Sequence, residues 1–229
     1  MNSHQLRSPI AEFVGTALFV FLGAGSVVTS AAGGAGGAVG VALAHAFALG
    51  IAITIMMPIS GGHINPAVSL SLWLAGKIDA TRLGWYVLAQ LLGAVVAALL
   101  IKLLFPASLV RIMSIGTPQI SGSVSLLGAI VLEALFTFFL VSAVFGTCVM
   151  PPTPRFGGFA IGLSVLVCAL AGGGLTGAVM NPARAFGPAL VSMDWHGQVV
   201  YWIGPGLGAA GAAALWRYVL LPRDATQLR

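Results

Sequence analysis

Ser60-Gly61-Gly62-His63-Ile64-Asn65-Pro66-Ala67-Val68 interrupts an apolar run, and its centre returns in the second half of the chain as Met180-Asn181-Pro182-Ala183-Arg184. Proline is well placed at the first position of a helix, and asparagine just before it is a strong cap for the free backbone donors. Each Asn-Pro-Ala therefore reads as a helix start. Pro66 to Gly76 is an apolar piece of 11 residues, which at 1.5 Å per residue covers roughly 16 Å, half of a hydrocarbon core of about 30 Å. The piece from Pro182 to about Met193 has similar length. Two half-helices entering from opposite faces would meet end to end at the bilayer centre. A single Asn-Pro is an ordinary loop-to-helix turn. Two copies, each preceded by irregular backbone in an apolar setting, point instead to a pore, because such backbone survives at membrane depth only where protein buries it or it lines a cavity.

The surroundings agree. Hydrophobic residues make up 59% of the chain and charged ones 7%, the composition of an integral membrane protein. Six stretches are long enough to cross: about 10 to 32, 38 to 59, 84 to 105, 125 to 149, 156 to 174 and 199 to 221. Arg7 before the first stretch and Ala31-Ala32-Gly33 after it imitate a secretory signal. Glu12 inside the run and a related later segment make it a retained span instead. Cys148 and Cys168 both fall in predicted spans and suggest packing, with no disulfide framework.

Lysines and arginines flanking spans stay cytoplasmic. Six spans with both termini inside place Arg7, Lys77, Arg82, Arg155, Arg217, Arg223 and Arg229 there, with only Lys102 and Arg111 near the outer side. The net charge of +5 is thus a topology signal, and a nucleic-acid partner has no support.

The chain also repeats itself. Asn65 and Asn181 lie 116 positions apart, and Tyr86 and Tyr201 lie 115 apart. Glu12-Phe-Val-Gly-Thr16 returns as Glu133-Ala-Leu-Phe-Thr137. The reading is a single channel domain over residues 1–229, built of repeats at about 1–115 and 120–229. Three spans per half is an odd number, so the second half enters from the opposite side and the repeat is inverted, with its functional site at the midplane. The fold class expected is an all-α membrane protein of six transmembrane helices plus two re-entrant half-helices.

At that midplane a capping asparagine uses its carbonyl oxygen on the backbone and keeps its NH₂ to donate to a pore occupant. Both half-helices also aim their partial positive ends there. A small neutral solute with a lone pair is favoured, and a cation is not.

Ala11-Glu-Phe-Val-Gly-Thr16, Ser60-Gly-Gly-His-Ile-Asn-Pro-Ala-Val68 and Met180-Asn-Pro-Ala-Arg-Ala-Phe-Gly-Pro-Ala189 together resemble the aquaporin (major intrinsic protein) family over nearly the whole chain, as a bacterial-type member with an atypical filter. The resemblance implies a homotetramer with one pore per subunit, in the cell (inner) membrane, and no cofactor or metal. It implies that Glu12 and Glu133 brace the re-entrant loops, the role also favoured by the rule that a buried carboxylate needs partners. Arg184, expensive at that depth unless it faces water or a partner, becomes the arginine of the outer constriction rather than a snorkelling side chain.

Counting from the two asparagines carries the other constriction positions to His45, Ala169 and Ala178. Strict water channels usually have an aromatic residue first and histidine second. Here histidine is first and a small alanine second, which implies a wider filter. Against a glycerol channel, Ala185 follows Arg184 where such channels typically carry Asp, and Tyr201-Trp202 opens the last span as in water-type members. The expected cargo is water plus small uncharged solutes, glycerol-like or metalloid hydroxides such as arsenous or boric acid, with a strictly water-selective channel as the alternative. A histidine in the lumen suggests a charge change near neutral pH and lower permeability when protonated; an imidazole satisfied inside the bundle is the other reading. Gly62, His63, Ile64, Val179 and Met180 are read as pore-lining, with carbonyls before each asparagine, Ala178 included, forming a ladder of acceptors.

Other classes fare worse. An ion channel calls for carboxylate rings or a carbonyl filter on a symmetry axis, and the five acidic residues are largely taken up in bracing and loops. An intramembrane enzyme requires a nucleophile with its base or a metal cluster, whereas His45 and His63 stand on different elements. A non-conducting membrane scaffold is opposed by the intact Asn65, Asn181 and Arg184.

Overall fold

The computed structural model describes residues 3–150 and 156–222. Among these the chain is all helix and turn, with no strand. Nine α-helices follow in order among the described residues: α1 Ser3–Ser30, α2 Gly37–Ser60, α3 Pro66–Leu74, α4 Ala80–Leu104, α5 Ala107–Ile112, α6 Leu126–Val144, α7 Gly157–Thr176, α8 Pro182–Ser192 and α9 Val200–Leu215. Local chemistry sets their ends. Asp79 caps α4 by accepting from Arg82 N at 2.7 Å, and Ser125 caps α6 by accepting from Gly128 N at 3.1 Å. The two helices that lead into the Asn-Pro-Ala segments, α2 and α7, both stop at a left-handed glycine, Gly61 at φ 92° and Gly177 at φ 88°.

Five helices have the length and hydropathy of a complete span: α1, α2, α4, α6 and α7. The sixth expected span differs. α9 has 16 residues, about 24 Å, and reaches bilayer length only through the π-helical turn Trp216–Leu220 that continues it. α6 closes the same way, with a π turn at Phe145–Val149, and the two turns meet where Phe145 stacks on Trp216 at 5.9 Å and 14°. The first half-helix is two residues shorter than expected, because Gly76 at φ 72° ends it. α5, which follows the helix-stopping Pro106, was not anticipated from the sequence. Of the basic residues used for topology, Arg155, Arg223 and Arg229 lie outside the described residues.

α1 packs on α2 and α4, α6 packs on α7 and α9, and α2 meets α7 across the centre. Each half-helix crosses over: α3 lies against α9, and α8 against α4. The long helices come close because small residues sit at the crossings. A Cβ on Gly93 would overlap the Phe13 carbonyl of α1, and one on Gly208 the Ala134 carbonyl of α6.

Polarity is distributed inside out. The interior holds Glu12, Glu133, Gln90, Thr16, Thr137 and many alanines, while Leu22, Ile51, Val96, Leu99, Leu135 and Phe139 stand exposed on the outside. Water as the surrounding solvent would penalise that surface heavily; lipid does not. The protein is a multi-pass membrane protein.

Candidate functional site

α3 and α8 begin at the same place. Asn65 Oδ1 accepts from Ala67 N at 2.8 Å, and Asn181 Oδ1 accepts from Ala183 N at 3.0 Å and Arg184 N at 3.3 Å. Pro66 and Pro182 occupy the first helical position of each, and Ala67 and Ala183 are buried behind them. These are the caps the sequence implied.

The NH₂ groups are not wholly left for a pore occupant. Asn65 Nδ2 donates to the Met180 carbonyl at 2.8 Å, and Asn181 Nδ2 donates to the Ile64 carbonyl at 2.9 Å. One N–H of each amide thus ties the two loops together, at a point where both asparagines border the wide cavity. The same bonds occupy one of the two lone pairs on each of the Ile64 and Met180 carbonyls. The cause is proximity: each cap points at the backbone just before the other cap.

That backbone is strained. Ile64, Ala178 and Met180 have φ of 54°, 45° and 53°, a region that costs a residue with a side chain about 1–3 kcal/mol. Gly62 matches Ala178 in register and adopts φ 62°, with an added Cβ only 2.8 Å from the Ile53 carbonyl. Two buried carboxylates hold the strained loops in place. Glu12 Oε1 accepts from Ser60 Oγ (2.6 Å) and His63 N (2.9 Å), and Oε2 from Ile64 N (2.6 Å) and Gln90 Nε2 (2.8 Å). Glu133 Oε1 accepts from Thr176 Oγ1 (2.7 Å) and Val179 N (2.8 Å), and Oε2 from Met180 N (2.7 Å). Both side chains are 0% exposed, so their place is inside the loops and not on the solute path. Tyr86 and Tyr201 complete the brace by donating to the Ser60 and Thr176 carbonyls at 2.7 and 2.8 Å.

Two cavities meet at this point. The wide one, about 930 Å³, is bordered by Phe19, His45, Ala169, Ala178, Val179 and Arg184 and reaches Asn65 and Asn181. The narrow one, about 20 Å³, runs from Asn65 past Gly62 and His63 to Met57, Val144 and Cys148. Leu49, Asn65 and Leu140 border both. Ile64 and Met180, 0% and 1% exposed, border neither; their side chains are packing, and their carbonyls accept from the two asparagines. His63 is held by Ser69 Oγ at 3.0 Å from Nδ1 and by the Tyr86 ring, edge to face at 4.9 Å. Cys148 borders the narrow limb, so of the two cysteines only Cys168 is simple packing.

His45, Ala169, Ala178 and Arg184 all border the wide limb. Arg184 is buried at 4% exposure; its Nη1 donates to the Gly116 carbonyl at 2.8 Å and its Nε donates to His45 Nε2 at 3.2 Å. His45 Nδ1 lies 2.9 Å from the Val41 carbonyl. A carbonyl only accepts, so Nδ1 carries the proton, and Nε2 receives the Arg184 N–H on its lone pair. The imidazole is therefore neutral, and both of its nitrogens are in use. The idea that His45 takes up a proton in the lumen fails on this geometry, because a proton on Nε2 would point at the Arg184 N–H. The two alternatives posed for His45 are both partly realised, since it is satisfied within the bundle and still borders the lumen.

The Gly116 carbonyl could not be found from the sequence, because a backbone acceptor has no residue identity. Gln90 and Phe19, which touches His45 edge to face at 6.1 Å, were also missed. Ser60 and Thr176 were findable: they lie 116 apart, the spacing of the asparagines.

Comparisons with known proteins follow the same pattern. The family model described as Major intrinsic protein matches residues 1–216. A probable aquaporin TIP-type alpha of Phaseolus vulgaris is 41% identical over 227 residues, covering 95% of this chain and 87% of that protein. A probable aquaporin TIP1-1 of Oryza sativa subsp. japonica is 39% identical over 248 residues, covering 100% and 95%. The X-ray structure of the aquaglyceroporin from Plasmodium falciparum superposes with a TM-score of 0.82 at 26% identity, over 93% of this chain and 96% of that one. These relatives lend no support to a bacterial-type assignment. With two capped half-helices whose asparagines each bond the carbonyl just before the other and these matches along its length, the chain belongs to the major intrinsic protein family, the aquaporins, which are channels and not enzymes.

Proposed function

We propose that the chain is a passive channel for water and small uncharged solutes, glycerol-like molecules or metalloid hydroxides such as arsenous and boric acid, that excludes ions and protons. The observation that carries this reading is the constriction. His45 and Arg184 are bonded to each other, and the Ala169 and Ala178 side chains that border the same cavity are only methyl groups, so a bulky ring is missing where a water-only filter would have one. Arg184 keeps N–H groups for a solute oxygen and adds a fixed positive charge against cations. The half-helix starts at Asn65 and Asn181 add positive potential at the junction. The likeness to an aquaglyceroporin supports the wider cargo, while the relatives described as aquaporins keep a strictly water-selective channel as the alternative.

The pore is single per chain, its halves are inverted repeats, and the assembly is a homotetramer in the cell (inner) membrane with both termini cytoplasmic. Arg217 donates to the Leu74 carbonyl, which brings the end of α9 and the end of α3, with Lys77 close by, to one end of the bundle. By the positive-inside rule that end is cytoplasmic, so the wide limb opens outward. Ala169→His tests the filter: in proteoliposomes it should cut glycerol or urea flux while water flux persists. Unchanged solute flux would remove Ala169 from the constriction, and a wild-type channel passing water alone would leave the strictly water-selective reading.

A further inference from the structure

We infer that Gly23 on α1, which borders neither the wide nor the narrow cavity, sets the width of the constriction by giving the His45 ring room to lie back against the helix. The inference rests on His45 being a constriction residue.

Gly23 is buried. A Cβ built on it would stand 2.8 Å from His45 Cδ2, 2.9 Å from Nε2 and 3.3 Å from Cγ, and these three nearest atoms all belong to that one ring. The ring has little freedom elsewhere. Its Nδ1 is tied to the Val41 carbonyl one turn back on its own helix, Arg184 holds Nε2, and the Phe19 ring stands one turn from Gly23 on α1. The open direction is the wide limb. Carbon atoms in contact prefer about 3.5–4.0 Å, so one added methyl moves the imidazole by roughly 0.7 Å or more. That movement narrows the lumen and stretches the Arg184 bond beyond 3.2 Å.

The narrow limb is built from the same register with bulk in place. Gly23 follows Glu12 by 11 residues, as Val144 follows Glu133; His45 precedes Ser60 by 15, as Ile161 precedes Thr176. Val144 and Ile161 both border the narrow cavity of about 20 Å³. The half that carries glycine at this position borders the 930 Å³ one. Gly23 is thus a positioning residue that acts on solutes through His45.

The test is flux through proteoliposomes holding the full chain as wild type, Gly23→Ala, His45→Ala and the double variant Gly23→Ala/His45→Ala, with water followed by osmotic shrinkage and glycerol or urea by reswelling. Gly23→Ala should lose solute flux by about fivefold, the factor for the low end of an overpacking penalty, and lose less water flux. The double variant should match His45→Ala alone, because the methyl no longer meets a ring. Solute flux in Gly23→Ala equal to wild type would overturn the inference, as would a double variant that stays as slow as Gly23→Ala or fails to insert. If His45→Ala alone leaves every flux unchanged, the fault lies with the reading of His45 as a constriction residue.

Discussion

Glu12→Ala takes the acceptor from four donors at once, Ser60 Oγ and His63 N on one carboxylate oxygen and Ile64 N and Gln90 Nε2 on the other, and only Ser60 Oγ and Gln90 Nε2 have a second acceptor, in the Met56 carbonyl and Ser69 Oγ. A buried donor left without an acceptor costs about 1–3 kcal/mol, and Ile64 must be kept at φ 54° against a strain of about the same size. The loop would then escape by rotating its amides, which pulls the Ile64 carbonyl off Asn181. The His63 and Ile64 amides, which have no other acceptor, set a loss of roughly 2–6 kcal/mol, less whatever local water recovers. Glu12→Gln keeps one acceptor oxygen and so should lose about half as much. Glu133→Ala should be milder than Glu12→Ala, since Glu133 has three donors; four residues after Tyr201 stands Pro205, where the same step from Tyr86 reaches Gln90. The assays are thermal unfolding in detergent and hydrogen exchange at the His63 and Ile64 amides. Melting temperature and protection should both be lowest in Glu12→Ala, intermediate in Glu12→Gln and highest in wild type. A Glu12→Ala protein with wild-type melting and protected amides would refute the bracing argument.

Water permeability should stay flat between roughly pH 5 and 8, because His45 is already committed through both nitrogens to Val41 and Arg184; a fall in acid, measured by stopped-flow shrinkage in buffers of each pH, would count against that. Gly208→Leu should yield little folded protein by size-exclusion chromatography, as its side chain meets the Ala134 carbonyl, whereas Gly206→Ala, with open space around it, should fold normally. Arg184→Ala should admit protons, read as collapse of a pH gradient across dye-loaded proteoliposomes, because the fixed charge at the constriction is gone.

The elements most legible in sequence were those written in side chains with one physical meaning. Asn65-Pro66 and Asn181-Pro182 announce helix starts by their chemistry, and α3 and α8 begin there. Glu12 and Glu133 were readable as braces because a carboxylate at that depth must find donors. What escaped was carried by backbone or by absence. The Gly116 carbonyl that anchors Arg184 has no signature, and the amides of Asn65 and Asn181 reach each other's loops only after both halves are folded. The π turns at Phe145 and Trp216 leave the hydropathy of their spans unchanged. Gly23 is one glycine among 31 until the ring lying on it is seen.

Stopped-flow light scattering on proteoliposomes of the unmodified chain tests the central claim most directly. An osmotic step with an impermeant solute should shrink them faster than empty liposomes, and a step with glycerol or urea should be followed by rapid reswelling. No acceleration over empty liposomes and no solute entry would contradict the account of an open pore through the paired asparagines.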